Sequence, residues 1–337
     1  MIFQPAIIAL LLAAALCMTM MLAATPFAVQ LIRHWDLRSG SERQLRLERL
    51  TYLFSMLMML VCVLQVLSTL LFVFNAERMS IMFVGAMCAV GTLNANVYGF
   101  PALYAQLLLF FAATSWLALN RVDNGARNYP LIRAKYAFML ALLPLAALVL
   151  YLQFNFFVRL EPDVITSCCG SMFSEDADTI ASELSALPPR QAMLVFYLGL
   201  ASAIALAAWQ GWGKPARTRW RATAVGLSSG LAFAAALTGL LAFVALYIYE
   251  HPHHHCPFCI LKAEYHYRGY LLYIPLFAAA AAGLGAALVA QFGRRQGLEQ
   301  LAAQHSAALA RIAALGFTLF VLIATAMIAS SRLILLD

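Results

Sequence analysis

The chain has 337 residues, 64% of them hydrophobic and only 11% charged, with a mean hydropathy of +0.82 and a formal net charge of +7. Soluble domains carry about 25% charged residues, so a water-soluble globular protein is excluded. Glycine and proline follow no period, which excludes collagen-like and low-complexity chains as well.

Apolar runs of about 20 residues, the length that crosses a bilayer, recur along the whole chain. They predict an all-α fold: a polytopic membrane helical bundle. The first run, 5–32, has no basic residue before Arg33. It lacks the n-region of a cleaved signal peptide and reads as a retained helix with its N-terminus outside. Further runs at about 50–75, 101–120, 137–157, 191–210, 223–249, 269–292 and 312–330 bring the expected spans to eight and place both termini on one side. The stretch 79–99 is apolar but broken by Gly85, Gly91, Asn94, Asn96 and Gly99. Irregular backbone at membrane depth survives only when buried in protein or lining a cavity. This segment is therefore expected to be re-entrant or to lie on the outer surface of the bundle.

The basic residues divide unevenly between the connectors. Sixteen of the 22 fall in four of them: Arg33 to Arg49, Arg121 to Lys135, Lys214 to Arg221, and Arg294 to Arg311. By the positive-inside rule these face the cytoplasm. The expected setting is a bacterial-type inner membrane, with both termini outside. The net charge is then a topology signal in contact with lipid, and nucleic acid is not an expected partner. With no internal repeat and no long linker, 1–337 reads as a single integral membrane domain. The acidic connector 158–190 and the His/Cys-rich connector 250–268 fall on the outer side.

The cysteines carry the chemistry. Cys17 and Cys62 sit in apolar runs and read as small buried hydrophobes. Cys88, Cys168, Cys169, Cys256 and Cys259 fall on the outer side, as do His251, His253, His254, His255 and His266. A Cys-x-x-Cys pair that opens a helix has one thiol acidified by the helix N-terminus and nearby positive charge. Cys256-Pro257-Phe258-Cys259 is expected to do so. Adjacent cysteines such as Cys168-Cys169 can bridge each other only through a strained ring, and strained disulfides are labile and oxidising. Cys88, in the broken segment, is a lesser candidate, equally readable as a packed small residue.

Three uses of these side chains stay open. One is a thiol–disulfide oxidoreductase with Cys168, Cys169, Cys256 and Cys259 as its catalytic residues. Another is a copper or zinc protein serving metal delivery or assembly, with ligands drawn from Cys168, Cys169, His251, His253, His254, His255, Cys256 and Cys259, since sulfur with imidazole suits those ions. The third is an accessory subunit of a membrane complex. The expected soluble partner is a thioredoxin-like protein for the first use and a metallochaperone for the second. The expected spanning cores carry essentially no Asp, Glu, Lys or His, which argues against ion-coupled transport. Haem is not expected, because Ile260 stands where c-type attachment needs histidine.

From Tyr247 to Lys262 the chain reads Tyr-Ile-Tyr-Glu-His-Pro-His-His-His-Cys-Pro-Phe-Cys-Ile-Leu-Lys. This resembles the helix, outer loop and Cys-x-x-Cys-Ile of the bacterial disulfide-bond formation protein B family, which is related to the vitamin K epoxide reductases. The resemblance implies that Cys256 and Cys259 are the pair beside a quinone, and that Cys168 and Cys169 are the pair that oxidises a soluble thioredoxin-like protein. Ala263 stands where that family has an arginine, so the resemblance leaves Lys262 and Arg268 as the cations nearest the quinone.

Overall fold

The computed structural model describes residues 4–36, 41–126, 128–161, 188–213, 219–293, 295 and 297–335. Every regular element among them is helical. The helices are α1 (Pro5–His34), α2 (Glu42–Met79), α3 (Ala89–Leu93), α4 (Gly99–Gly125), α5 (Ile132–Val158), α6 (Pro189–Trp212), α7 (Arg219–Tyr249), α8 (Arg268–Gln291) and α9 (Glu299–Ala329). All but α3 are long and apolar enough to cross a membrane. The chain is an all-α, multi-pass membrane protein. Cys168, Cys169 and most of the acidic connector lie outside the described residues.

The long helices are apolar all round, as a helix must be when one face meets protein and the other lipid. Leu12, Leu108, Leu198, Leu231 and Leu322 remain more than 60% exposed on their outer faces. The second helix runs well past the expected 50–75 at both ends. Its polar first turns support themselves, with Gln44 Nε2 donating to Glu48 Oε1 one turn on at 2.9 Å.

Close packing divides the chain into two compact units. The first comprises residues up to Asn75, Ala95–Pro162 and Gln291–Ala302. Within it α1 and α4 pack on α5 through residues three and four apart: Cys17, Met21, Ala24, Ala28 and Leu31 from α1; Leu109, Ala113 and Trp116 from α4; Ile132, Tyr136, Met139 and Ala146 from α5. Here the structure corrects the sequence reading. Lys135 is not a loop cation but a fully buried residue of α5, 2.8 Å from Asp123 Oδ2, with neither side chain exposed. Asp123 Oδ1 also accepts the Leu131 N–H at 2.8 Å. That bond satisfies a donor at the helix N-terminus and starts α5 five residues earlier than the apolar run predicts.

The second unit comprises Ala76–Asn94, Asp163–Ala290 and Ala303–Asp337. There α6 packs along α7. Phe196, Phe243 and Phe320 interlock with ring centroids 5.3 and 5.7 Å from Phe196. The α7–α8 contact is made by small residues, as is usual where membrane helices approach closely. A Cβ at Gly283 would overlap the Ser229 side chain. In the segment expected to be broken, α2 passes through a single 3-10 turn, Ser80–Met82, and α3 follows. Cys88 through Leu93 are buried within this unit, whereas Ile81, Val84 and Met87 stand exposed.

Candidate functional site

The site is built on the α7–α8 connector and on the segment that leads into α3. Near its end α7 contains a π-helical turn, Leu240–Val244, a distortion that recurs at functional sites. His255 bonds back to this turn, with Nδ1 2.8 Å from the Leu241 carbonyl oxygen. The helix stops at Tyr249. Glu250 takes a left-handed conformation (φ 53°), and the His251 N–H donates to the Leu246 carbonyl.

Two hydroxyls hold the connector. Tyr249 Oη donates to the Cys256 carbonyl, and Tyr273 Oη donates to the Pro257 carbonyl at 2.7 Å. Past the motif the backbone turns twice, through Cys259–Leu261 and Ala263–Tyr265. His266 and Tyr267 then both adopt φ 55°. Such left-handed residues other than glycine cost energy and persist only where surrounding bonds hold them. Here the His266 N–H donates to the Ala263 carbonyl and the Tyr267 N–H to the Lys262 carbonyl. Helix α8 begins close against the first turn because Gly269 has no side chain. A Cβ there would lie 3.0 Å from the Ile260 carbonyl oxygen.

These constraints place three sulfurs together. Cys88, Cys256 and Cys259 are all buried, and their Sγ atoms lie within 4.8 Å of one another. Cys88 Sγ and Cys256 Sγ are 3.3 Å apart. Cys88 immediately precedes α3 in extended conformation (φ −159°, ψ −177°). Glu77, near the end of α2, reaches both cysteine-bearing segments. Its Oε2 accepts the Ala89 N–H at 2.8 Å, and its Oε1 lies 3.7 Å from Lys262 Nζ.

The cysteines of the Cys-x-x-Cys motif lie together, but the motif expected to open a helix opens only a 3-10 turn. Cys259 opens a single 3-10 turn, and α8 begins nine residues later at Arg268. A helix macrodipole acting on the thiols therefore has no structural basis. No imidazole joins the three sulfurs among the described residues. His254 stacks on Tyr249 with ring centroids 4.0 Å apart, His255 is engaged with Leu241, and the His251 ring accepts the N–H of the exposed His253. Lys262 is paired with Glu77, and Arg268 is the first residue of α8. Beside the motif, burial pushes the Tyr265 phenol above its ordinary range, and negative charge on Cys259 and Glu264 would add to the effect. It stays a neutral donor at physiological pH.

Sequence reasoning left Cys88 a lesser candidate and missed Glu77. The available signal was a carboxylate at the end of a long apolar helix, followed by a cysteine in a segment too broken to span. Comparison with protein families, with curated proteins and with solved structures finds no match for this chain.

Proposed function

We propose that the chain is a membrane thiol–disulfide oxidoreductase in which Cys256 is shared between two partners, Cys259 and Cys88. The observation that carries this reading is the 3.3 Å approach of Cys88 Sγ to Cys256 Sγ, with Cys259 Sγ close to both. Exchange needs a thiolate adjacent to a disulfide sulfur. The Cys88 thiolate attacks Cys256 in a Cys256–Cys259 disulfide, the Cys88–Cys256 bond forms, and Cys259 leaves as a thiolate that takes up a proton. No electrons are lost or gained in that step.

Net turnover moves two electrons and two protons from a partner dithiol, which becomes a disulfide, to an acceptor of the quinone class. The trio is buried, so we assign contact with a soluble thioredoxin-like partner to Cys168 and Cys169. The charge bias of the connectors supports an extracytoplasmic location for this chemistry. A flat acceptor would meet an aromatic cluster beside the motif, in which Tyr249 packs against His254 and Tyr265, with Lys262 and Arg268 as the nearby cations. When bound, a quinone would supply the two-electron sink; this chain's residues would orient it and keep water from the sulfurs.

A second reading has a specific observation in its favour, because three sulfurs within 4.8 Å of one another can hold a soft ion such as copper(I) or, with a fourth ligand, zinc. Two thiolates on one zinc at about 2.3 Å and the tetrahedral angle stand about 3.8 Å apart. Cys88 and Cys256, at 3.3 Å, stand closer than that, which favours exchange.

The test uses the full chain in membranes. A Cys259→Ser variant is expected to accumulate a Cys88–Cys256 disulfide that reductant releases, and the purified parent is expected to hold no stoichiometric metal. A stoichiometric ion lost in Cys88→Ser and Cys256→Ser, with no Cys88–Cys256 disulfide in Cys259→Ser, would replace this reading with the metal one.

A further inference from the structure

The three sulfurs come from segments far apart in the chain, and Cys88 has little regular structure of its own to place it, since α3 is only five residues long. The bonds within α3 account for its later donors: the Gly91 and Thr92 N–H groups reach the Cys88 carbonyl, and the Asn94 N–H reaches Val90. The Ala89 N–H, next to Cys88, is instead taken by Glu77 Oε2 from α2, twelve residues earlier. The other oxygen, Oε1, is buried and makes no hydrogen bond; the Lys262 ammonium is its neighbour at 3.7 Å. The Lys262 N–H in turn donates to the Cys259 carbonyl at 3.0 Å. One carboxylate thus touches the backbone beside Cys88 and the side chain of a residue bonded to Cys259.

Resting on the exchange reading above, we propose that Glu77 is the positioning residue that holds Cys88 at Cys256. It acts through its hydrogen bond to Ala89, while Lys262 compensates its buried charge. The carboxylate makes no bond to a sulfur and changes none; it sets where one of the sulfurs stands. The hydrogen bond, rather than the charge, fixes the Cys88 backbone, so glutamine should replace glutamate at this position and alanine should not. The pairing of Cys256 with Cys259 is set by the connector, its two tyrosine hydroxyls and the 3-10 turn, and should be indifferent to residue 77.

The experiment measures disulfide yield by differential alkylation and peptide mass analysis of the full chain in membranes, oxidised with glutathione disulfide. In a Cys259→Ser background, which reports Cys88–Cys256 alone, Glu77→Ala should lower the rate of bond formation about tenfold or more, the scale set by leaving the buried Ala89 N–H without its acceptor. Glu77→Gln should stay within about twofold of the parent on the same scale. In a Cys88→Ser background, Glu77→Ala should leave Cys256–Cys259 formation unchanged. Equal Cys88–Cys256 rates in Glu77→Ala and its parent would overturn the proposal alone. So would an equal loss in both backgrounds, which would mark a merely structural role. Failure of the Cys259→Ser parent to form the bond at all would overturn the exchange reading and this inference with it.

Discussion

Lys135 is an ammonium with no solvent exposure, inside a chain whose sequence shows essentially no charge in its expected spanning cores. Asp123 neutralises it, and its remaining protons go to Ser55 Oγ at 3.2 Å and Asn120 Oδ1 at 3.1 Å. Breaking such a pair from one side leaves an uncompensated buried charge, whereas replacing both partners by apolar groups can be neutral. Asp123→Ala is expected to destabilise the protein by about 3 kcal/mol or more, seen as a lower thermal midpoint in detergent. Lys135→Met combined with Asp123→Leu should recover much of that loss. A double variant as unstable as the single one would show that the Asp123 bond to Leu131, rather than the charge pair, carries the effect. The pair was hard to read from sequence because both residues lie at the polar ends of their apolar runs, where a loop charge and a buried charge look alike. Cys88 was obscured differently: it lies 168 residues from Cys256, and only the fold brings the two sulfurs into contact.

At the scale of elements, the positions of the spans were legible because twenty consecutive apolar residues have one use in a bilayer. Their limits were not, since helices such as α2 run into polar residues that pair along their own surface. The helix expected to start at the Cys-x-x-Cys motif was illegible for another reason. Cys259, Ile260 and Leu261 continue the apolar text, but the next six residues make further turns before α8 begins. The small-residue contact between α7 and α8 carries a prediction of two signs. Gly283→Ala must displace Ser229 or separate the helices, and is expected to cost about 1–3 kcal/mol, as overpacking does. Gly230 on α7 faces open space within 4 Å, and Gly230→Ala should leave stability unchanged or raise it by about 0.5–1 kcal/mol through helix propensity. Thermal unfolding of the two variants in one detergent checks both signs.

Across the whole molecule, parity follows from eight spans. With all eight helices crossing, the α2–α4, α5–α6 and α7–α8 connectors are expected on one side and the α4–α5 and α6–α7 connectors on the other. Every cysteine outside the long helices would then fall in the first group. Reporter insertions between α4 and α5 and between α7 and α8 should therefore report opposite compartments, and the charge bias predicts that the first is cytoplasmic. Two reporters in one compartment would remove the parity argument and the shared location of the cysteines with it.

The central claim is that Cys256 stands between two sulfurs and exchanges bonds with either. Mapping disulfides by alkylation and mass analysis, on the full chain poised across a series of redox potentials, tests it most directly. The expected result is that oxidation protects two of the three thiols at a time, Cys256 always among them, with Cys259 or Cys88 as its partner. Oxidised protein in which Cys256 remains open to alkylation, or three thiols that alkylate equally at every potential, would contradict the account.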